Sequence, residues 1–261
     1  MKRIGFIGIG NMGEALFSGF VAAGKLTPEL AYAYTPNREE LAAKVEKLKL
    51  SGCDTLEAML QQAEMIVIAC KPGQVLENAK VILEKTPKMP VICIAAGFSL
   101  KKFQENGLGD LAVQCIMPNT PARIRDGVTL FEQENNMTEE DNAYAKDLLS
   151  AVGAVEVLPS NLMKIGMSIT GCGPAFVDLF IEAYADAAVK YGIPRATAYR
   201  LVSGMVHGSS GLQIATGEHP GVLKDQVCSP GGTTIRGVAA LEACGFRSAC
   251  IESVDEIMCA Q

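Results

Sequence analysis

This sequence of 261 residues has no tryptophan and only two histidines. His207 falls inside a helical pattern and His219 directly precedes Pro220, so neither has the spacing of a zinc site or of a histidine-based nucleophile relay. The nine cysteines are an odd, scattered set without a Cys-x-x-Cys pair, which predicts reduced thiols that serve as small apolar side chains. The sequence therefore predicts neither a metal site nor a disulfide framework.

An excess of positive charge and a long apolar run are also missing. The 23 lysines and arginines are outnumbered by 29 aspartates and glutamates, so nucleic acid and anionic membranes are poor partner candidates. No apolar run approaches the roughly 18 residues of a membrane span, and residues 1–3 lead directly into a glycine-punctuated strand pattern instead of a secretory leader. We expect a cytoplasmic protein that binds small molecules and neither nucleic acid nor membrane.

Short apolar runs alternate with helical patterns through the first half of the sequence. The runs, nearly continuous as in strands buried on both faces, are residues 4–9, 30–34, 65–70, 91–95 and 111–117. The helical patterns between them cover residues 11–23, 38–48, 74–84 and 99–106, with Ser99 as an N-cap. Two further strands, 127–131 and 154–158, flank a helix whose capping box runs from Thr138 to Asp141. This alternation predicts an α/β fold with a Rossmann-type, doubly wound parallel sheet.

The strand pattern stops near residue 160, which predicts a sheet domain at 1–160 and an all-helical domain at 161–261. One helical run is charged only at every fourth residue, at Asp178, Glu182, Asp186 and Lys190. A helical domain of this length has few elements to cover so apolar a helix, so we predict that a second subunit covers it in a homodimer. Gly204 and Gly208, one turn apart, indicate a close helix crossing, with packing inside one chain as the alternative.

A first candidate site is the stretch GFIGIGNMGEAL, where Gly8, Gly10 and Gly13 have the G-x-G-x-x-G spacing after the first strand. Gly8 permits the tight turn, Gly10 lets a pyrophosphate approach the backbone, and Gly13 allows the helix to pack closely on the strand. The start of the helix then faces the anion. The predicted dinucleotide-binding turn consists of Gly8, Ile9, Gly10, Asn11, Met12 and Gly13, and a glycine turn without a ligand is the alternative.

The end of the second strand bears on the choice of cofactor. It has no Asp or Glu to hold the ribose 2′-hydroxyl of NAD. Arg38 is able to pair with a 2′-phosphate, and Thr35 and Asn37 to donate hydrogen bonds to it, so NADP is favoured and NAD stays open. A solvated Arg38 is the alternative. The third and fourth strands end at the ligand-binding edge of the sheet with Ala69, Cys70, Lys71, Pro72, Ala95, Ala96 and Gly97.

A second candidate site is the stretch DQVCSPGGTTIRG, in which Pro230, Gly231 and Gly232 precede a helix that begins at Thr233 and Thr234. Unpaired amides at a helix start are able to hold a carboxylate, with the Ser229 and Thr234 hydroxyls free to orient it. A plain proline-glycine turn with a threonine cap is the alternative. By itself this turn does not decide between a carboxylate-binding site and a plain turn.

Six stretches in one order resemble the pyrroline-5-carboxylate reductase family: GFIGIGNMGEAL, ACKPGQV, the Ala-Ala-Gly end of the fourth strand, IMPNTPA, TGCGPAF and LKDQVCSPGGTTIRG. The resemblance runs from residue 4 to about residue 250, and SPGGTT is its most specific element. It implies an oxidoreductase that reduces a cyclic imine with NADPH or NADH in the last step of proline biosynthesis. It also implies a helical dimerisation domain and dimers that often assemble into decamers.

The resemblance implies roles for individual residues. The first glycine turn, Lys71, Pro72 and residues 95–97 would contact the cofactor. The substrate carboxylate would be held by the amides of Thr233 and Thr234 and by the Ser229 hydroxyl, at a turn that Gly231 and Gly232 shape. The Thr234 hydroxyl would be the catalytic group that bonds the ring nitrogen. Since a protonated imine is already electrophilic, positioning supplies much of the acceleration without a strong side-chain acid.

Two stretches depart from the family pattern. Residues 164–171 read KIGMSITG where the family usually reads like DAVTALSG, and residues 53–56 lack an asparagine that contacts the cofactor ribose in some members. The Lys164 and Met167 departures favour, as an alternative, a reductase of a related cyclic imino acid. A second alternative is a non-catalytic, nucleotide-binding dimeric regulator.

Overall fold

The computed structural model describes residues 1–260, and contacts between residues divide it into two compact units. The first unit is Met1–Gly171, and the second begins at Cys172. In the described chain the strands are β1 Ile4–Ile7, β2 Ala31–Tyr34, β3 Ser51–Gly52, β4 Met65–Ile68, β5 Val91–Cys93, β6 Val113–Met117, β7 Gly127–Glu132 and β8 Gly153–Leu158. The α-helices of the first unit are α1 Asn11–Ala22, α2 Arg38–Leu48, α3 Leu56–Leu60, α4 Pro72–Lys85, α5 Leu100–Glu105, α6 Glu139–Ser150 and α7 Met163–Thr170.

The strands form one sheet in the order β3-β2-β1-β4-β5-β6-β7-β8. All neighbouring strands of the described chain are parallel except β6 and β7, which are antiparallel. The chain runs outward from β1 to β3 and then returns to place β4 on the other side of β1. The predicted doubly wound, Rossmann-type sheet is therefore confirmed, and its switch point lies between β1 and β4.

Apolar residues cover both faces of this sheet. Ile4 and Phe6 of β1 belong to one buried cluster, whereas Ile7 belongs to another, as the period of two along a strand requires. Val67 of β4 lies in the first cluster and Ile66 in the second. Because both faces of the sheet are packed, the central strands are continuous apolar runs in the sequence. A ligand is therefore able to bind only at the edge where the strands end.

Most elements of the first unit agree with the sequence predictions, although β1, β4 and β5 each end two residues earlier than their apolar runs. The two predicted caps are confirmed, since Ser99 accepts a hydrogen bond from Lys102 N at 3.2 Å and Thr138 accepts one from Asp141 N at 3.1 Å. The sequence did not predict β3 and α3. A strand of two residues and a helix of five are too short to give a periodic signal.

The second unit is helical, as predicted. Its helices within the described residues are α8 Gly173–Lys190, α9 Arg195–Thr216, α10 Pro220–Val227, α11 Thr233–Ala243 and α12 Phe246–Cys259. Ala185, Ala198 and Val202 make a small buried cluster between α8 and α9. Large apolar side chains of α8 stay open, Leu179 being 66% exposed.

Gly204 and Gly208 of α9 have no close neighbour within the described chain, because an added Cβ at either would meet nothing within 4 Å. Close packing inside one chain, the alternative of the sequence analysis, is therefore not the reason for these two glycines. The segment Ser160–Lys190, which begins in the first unit, contains an 18-residue window with a mean hydropathy of 1.2 and is long and apolar enough, by length and composition only, to cross a membrane. Its few charges interrupt the apolar run, so the sequence shows no uninterrupted apolar run of that length.

The nine cysteines are all free thiols in the described chain. Cys93 and Cys115 are buried on adjacent strands and fit the prediction of small apolar core residues. Three others are exposed, so the prediction was wrong for Cys244, Cys250 and Cys259. They lie in or just after the helices of the unit whose apolar side chains are also exposed.

Candidate active site

The turn after β1 requires glycine at its first position. Gly8 has φ of +78°, and an added Cβ would lie 2.9 Å from Cys70 Cα and 3.0 Å from the carbonyl oxygen of Ala69. Its amide donates a hydrogen bond to the carbonyl oxygen of Tyr34 at 2.8 Å. The ends of β1, β2 and β4 therefore meet at this turn, as the G-x-G-x-x-G spacing predicts.

The other two glycines of this turn differ in their surroundings. A Cβ added at Gly10 would meet nothing within 4 Å, whereas one at Gly13 would lie 3.3 Å from both Ala69 Cβ and the Gly8 carbonyl oxygen. Gly10 is the N-cap of α1, and no side chain caps the first amides of this helix in the described chain. Open backbone at Gly10 and close packing at Gly13 are what a bound pyrophosphate needs.

A cavity of about 510 Å³ lies at this edge of the sheet in the first unit. Of the residues predicted to bind the cofactor, it brings together Gly8, Ile9, Gly10, Thr35, Asn37, Ala69, Cys70 and Lys71. Eight others do not line it. Asn11, Met12 and Gly13 form the first turn of α1, Arg38 and Pro72 are the first residues of α2 and α4, and Ala95, Ala96 and Gly97 follow β5.

At the end of β2, Asn37 and Arg38 face different surroundings. Asn37 caps α2, its Oδ1 accepting a hydrogen bond from Glu40 N at 3.2 Å, which leaves its Nδ2 donor for a ligand. The Arg38 side chain is 80% exposed, and its Nη1 lies 3.9 Å from Asp54 Oδ1. The pairing of Arg38 with a 2′-phosphate stays a prediction.

Sequence reasoning missed the helical part of this cavity. Glu40 comes from the first turn of α2, while Gln74, Glu77 and Asn78 come from one face of α4. Asn78 Nδ2 lies 3.7 Å from Cys70 Sγ, and burial raises the pKa of the Cys70 thiol, which keeps it neutral. The i, i+3, i+4 spacing of the three α4 residues indicates that they share one face of a helix. It indicates a cavity lining only when the helix is known to start at Lys71 and Pro72.

The turn before α11 also depends on its glycines. Gly231 has φ of +71°, and a Cβ added at Gly232 would collide with Ser229 Oγ. Gly232 N donates a hydrogen bond to the Ser229 carbonyl oxygen at 3.0 Å, and Gly232 is the N-cap of α11 without a side-chain cap. The threonine cap of the alternative interpretation is therefore absent from the described chain. Thr233 and Thr234 are exposed at the start of α11, with amides free for an anion.

Two motif residues outside the predicted site sets connect elements of the first unit. Asn119 of IMPNTPA is buried, accepts a hydrogen bond from Val128 N at 2.8 Å and donates one to the Thr170 carbonyl oxygen at 3.0 Å. Glu14, in the first turn of α1, lies 2.5 Å from both Lys44 and Lys47 of α2. These hydrogen bonds with both lysines lower the Glu14 pKa.

The departure at residues 164–171 is accommodated in α7. An added Cβ at Gly166 would lie 2.7 Å from the Cδ1 atoms of Leu130 and Leu158, so glycine lets α7 lie close against β7 and β8. The Ser168 and Thr170 hydroxyls donate hydrogen bonds to carbonyl oxygens one turn earlier in the same helix. The helix is therefore hydrogen-bonded without the Asp and Thr that the family pattern carries.

Comparisons with known proteins find similar sequences along both parts of the chain. Residues 160–260 match the family model for pyrroline-5-carboxylate reductase dimerisation, and residues 3–97 match the model described as NADP oxidoreductase, coenzyme F420-dependent. The pyrroline-5-carboxylate reductase of Escherichia coli is 40% identical over 98% of this chain and 96% of its own length. The one from Synechocystis is 43% identical over 97% of this chain and 94% of its own length. A crystal structure of Plasmodium falciparum pyrroline carboxylate reductase with NADP bound has a TM-score of 0.88 at 28% identity, covering 98% and 95% of the two chains.

The Rossmann-type unit and its open glycine turn define a dinucleotide-binding protein of the NAD(P)-dependent oxidoreductases. Identity at this level over nearly the whole sequence is specific: the chain belongs to the pyrroline-5-carboxylate reductase family. The match of residues 160–260 also supports oligomerisation through the helical part of the chain.

Proposed function

We propose that this protein reduces 1-pyrroline-5-carboxylate to L-proline with a reduced nicotinamide cofactor, the last step of proline biosynthesis, in the cytoplasm. The observation that carries the proposal is the pair of uncapped helix starts, at Gly10 and at Gly232, within a chain of this family. Each offers backbone amides to an anion, one suited to a pyrophosphate and one to a carboxylate.

The cofactor we propose is NADPH, with NADH as a second donor. The fit rests on the open backbone at Gly10 and the cavity of about 510 Å³ beside it. When bound, the cofactor supplies the hydride. The amides of residues 8–13 would hold its pyrophosphate, Thr35, Asn37 and Arg38 would hold the ribose 2′ group, and residues 69–72 and 95–97 would flank the dinucleotide. The NADP in the Plasmodium relative supports this choice.

The substrate would be held by the turn before α11. The amides of Thr233 and Thr234 and the hydroxyl of Ser229 would bind its carboxylate, favoured by the positive end of the helix. The Thr234 hydroxyl would hydrogen-bond the ring nitrogen and fix the imine carbon in place. Gly231 and Gly232 contribute the backbone shape. Positioning, without a strong acid, is then the main contribution of the chain to the rate.

A direct assay tests the proposal. The purified protein is incubated with the five-membered cyclic imine and either NADPH or NADH, and the loss of reduced nicotinamide absorbance is followed. Turnover with either cofactor supports the proposal, and no turnover with both contradicts it. Binding of NADPH without turnover of any imine would favour the alternative of a non-catalytic, nucleotide-binding dimeric regulator.

The same assay distinguishes the second enzyme candidate. A larger or more substituted imino acid is favoured by Met167 and Lys164, which stand where the family usually has Thr and Asp. The values of kcat/KM for five- and six-membered ring substrates are compared. If kcat/KM is higher for the six-membered ring, the six-membered imino acid replaces pyrroline-5-carboxylate as the proposed substrate.

We also propose that residues 1–160 bind the cofactor and that residues 161–261 dimerise and bind the substrate, in a homodimer that assembles further into a decamer. The exposed apolar side chains of α8 and the open glycines of α9 support association. Sedimentation of the purified protein tests this, and a monomer at micromolar concentration would contradict it.

A further inference from the structure

An acidic residue that the sequence motifs did not predict lines the cofactor cavity. No Asp or Glu stands directly at the end of β2, where NAD-selective proteins hold the ribose 2′-hydroxyl. The structure brings Glu40 to this place from the third residue of α2, so that it lines the cavity together with Thr35, Pro36 and Asn37. The missing carboxylate is supplied one helical turn later.

Local structure does not use the Glu40 side chain. In a capping box, a Glu at this position would accept a hydrogen bond from the amide of the N-cap residue. Within the described chain only the opposite half is present, Asn37 Oδ1 accepting from Glu40 N at 3.2 Å, and Glu40 forms no ion pair there. The Glu40 side chain is therefore exposed and without a partner in the described chain, on a residue that lines the cavity.

The cavity offers little positive charge to offset this carboxylate. Among the described residues that line it, Lys71 is the one cation, and it lies at the start of α4, whereas Glu77 adds a second carboxylate. Arg38 is 80% exposed, lies near Asp54 and does not line the cavity. A ligand with an additional phosphate at the β2 end would therefore meet the negative Glu40 as well as Arg38, its proposed partner outside the cavity lining.

We propose that Glu40 is a specificity-determining residue for the cofactor: its carboxylate disfavours a ribose 2′-phosphate and accepts a hydrogen bond from a ribose 2′-hydroxyl, which allows NADH to compete with NADPH. The inference rests on the proposed function and adds the group that sets the cofactor preference. Repulsion between two single charges near water is worth about a fivefold change in affinity at contact distances. It weakens at high salt, because the Debye length falls from about 10 Å at 0.1 M to about 3 Å at 1 M, which is shorter than the contact distance.

The test compares the wild type with Glu40→Gln and with the matched control Glu39→Gln, which changes the neighbouring exposed carboxylate of α2 that does not line the cavity. The dissociation constants of NADPH and NADH, and of 2′-phospho-ADP-ribose and ADP-ribose, are measured by calorimetry at low and high salt. We expect Glu40→Gln to tighten the binding of the two 2′-phosphorylated ligands about fivefold at low salt, relative to the unphosphorylated ones. The shift should shrink at high salt, and Glu39→Gln should show little of it.

The measured ratio is the dissociation constant of a 2′-phosphorylated ligand divided by that of its unphosphorylated counterpart. The inference is overturned if Glu40→Gln leaves this ratio unchanged, if Glu39→Gln changes it equally, or if the change in Glu40→Gln is the same at high salt. The proposed function can fail separately. A wild type that binds none of these nucleotides contradicts the cofactor site itself, and with it the role of Glu40. A wild type that binds them but shows no imine reduction contradicts the proposed reaction, while the ratio still tests Glu40.

Discussion

At the scale of single residues, Thr233 and Thr234 allow the hydroxyl and the backbone to be tested apart. Both are exposed at the start of α11, but only the Thr234 hydroxyl is proposed to bond the ring nitrogen. We expect Thr234→Val to lower kcat/KM by about 10- to 100-fold, the value of a hydrogen bond to a charged group. Thr234→Ser should retain most activity, and Thr233→Val, which keeps the amide, should change it little. Equal effects of the two valine variants on steady-state kinetics would contradict the role of the hydroxyl.

Gly232 gives a second test at this scale, because an added methyl group would collide with Ser229 Oγ. We expect Gly232→Ala to displace Ser229 and to raise KM for the imine at least about tenfold, since a positioned hydrogen bond to a carboxylate is lost. The affinity for NADPH should stay unchanged. Gly237→Ala, at a position of α11 where an added Cβ meets nothing within 4 Å, is the control and should retain activity. Titration of both ligands separates the two effects, and weaker NADPH binding in Gly232→Ala would argue against a substrate turn.

At the scale of elements, the buried Glu14 joins α1 to α2 through Lys44 and Lys47. These hydrogen bonds hold the Glu14 pKa below its usual range in the folded protein. The stability they contribute is therefore present above the unfolded-state pKa and is lost as the pH falls through the folded-state pKa. We expect Glu14→Gln to lower the free energy of unfolding at neutral pH by about 1 to 3 kcal/mol, since two lysines lose their partner.

The difference between the wild type and Glu14→Gln should vanish in strong acid, where the wild-type carboxyl is protonated. Glu46→Gln, at an exposed position of the same α2, should match the wild type at every pH. Thermal unfolding across the acid range provides the measurement. A deficit of Glu14→Gln that is constant with pH would show that packing, and not charge, is what Glu14 contributes.

The same scale shows what could be predicted from the sequence. The need for glycine at Gly8 and the close packing at Gly13 were predictable because each follows from steric requirements of one short turn. The caps at Ser99 and Thr138 were predictable because a side-chain oxygen at the N-cap accepts a hydrogen bond from an unpaired amide of the first turn. Elements too short to show a period, such as β3 and α3, were not.

The helical lining of the cofactor cavity was not predictable from motifs. Glu40 and Asn78 lie on different helices, and only the crossover connections of the sheet bring them to one cavity. Arg38 shows the reverse case, because a residue well placed in sequence lies outside the cavity and near Asp54. The direction of a side chain on its helix decides whether the residue lines the cavity. A rule that considers only residues at the ends of strands does not include this direction.

At the scale of the whole molecule, the second unit has more apolar surface than its own helices cover. Leu179 of α8 and Leu201 of α9 are 66% and 56% exposed, and a surface of this kind marks an association site in a protein of this family. The apolar composition of Ser160–Lys190, which by length and composition would suit a membrane, overlaps the dimerisation match over residues 160–260. Association between chains accounts for it without a bilayer.

Gly208 allows this association to be tested without disturbing a single chain. Because an added Cβ there meets nothing within 4 Å in the described chain, Gly208→Leu has room in an isolated subunit and should not lower its helicity. Against a partner that packs closely on α9, the larger side chain is expected to open the interface, so the mass measured by sedimentation should fall below that of the wild type. Lys146→Leu, which adds the same side chain at an exposed position of α6 in the first unit, is the control for general effects of surface leucine. An unchanged mass for Gly208→Leu would mean that the partner does not cover this part of α9, and that the glycines serve another purpose.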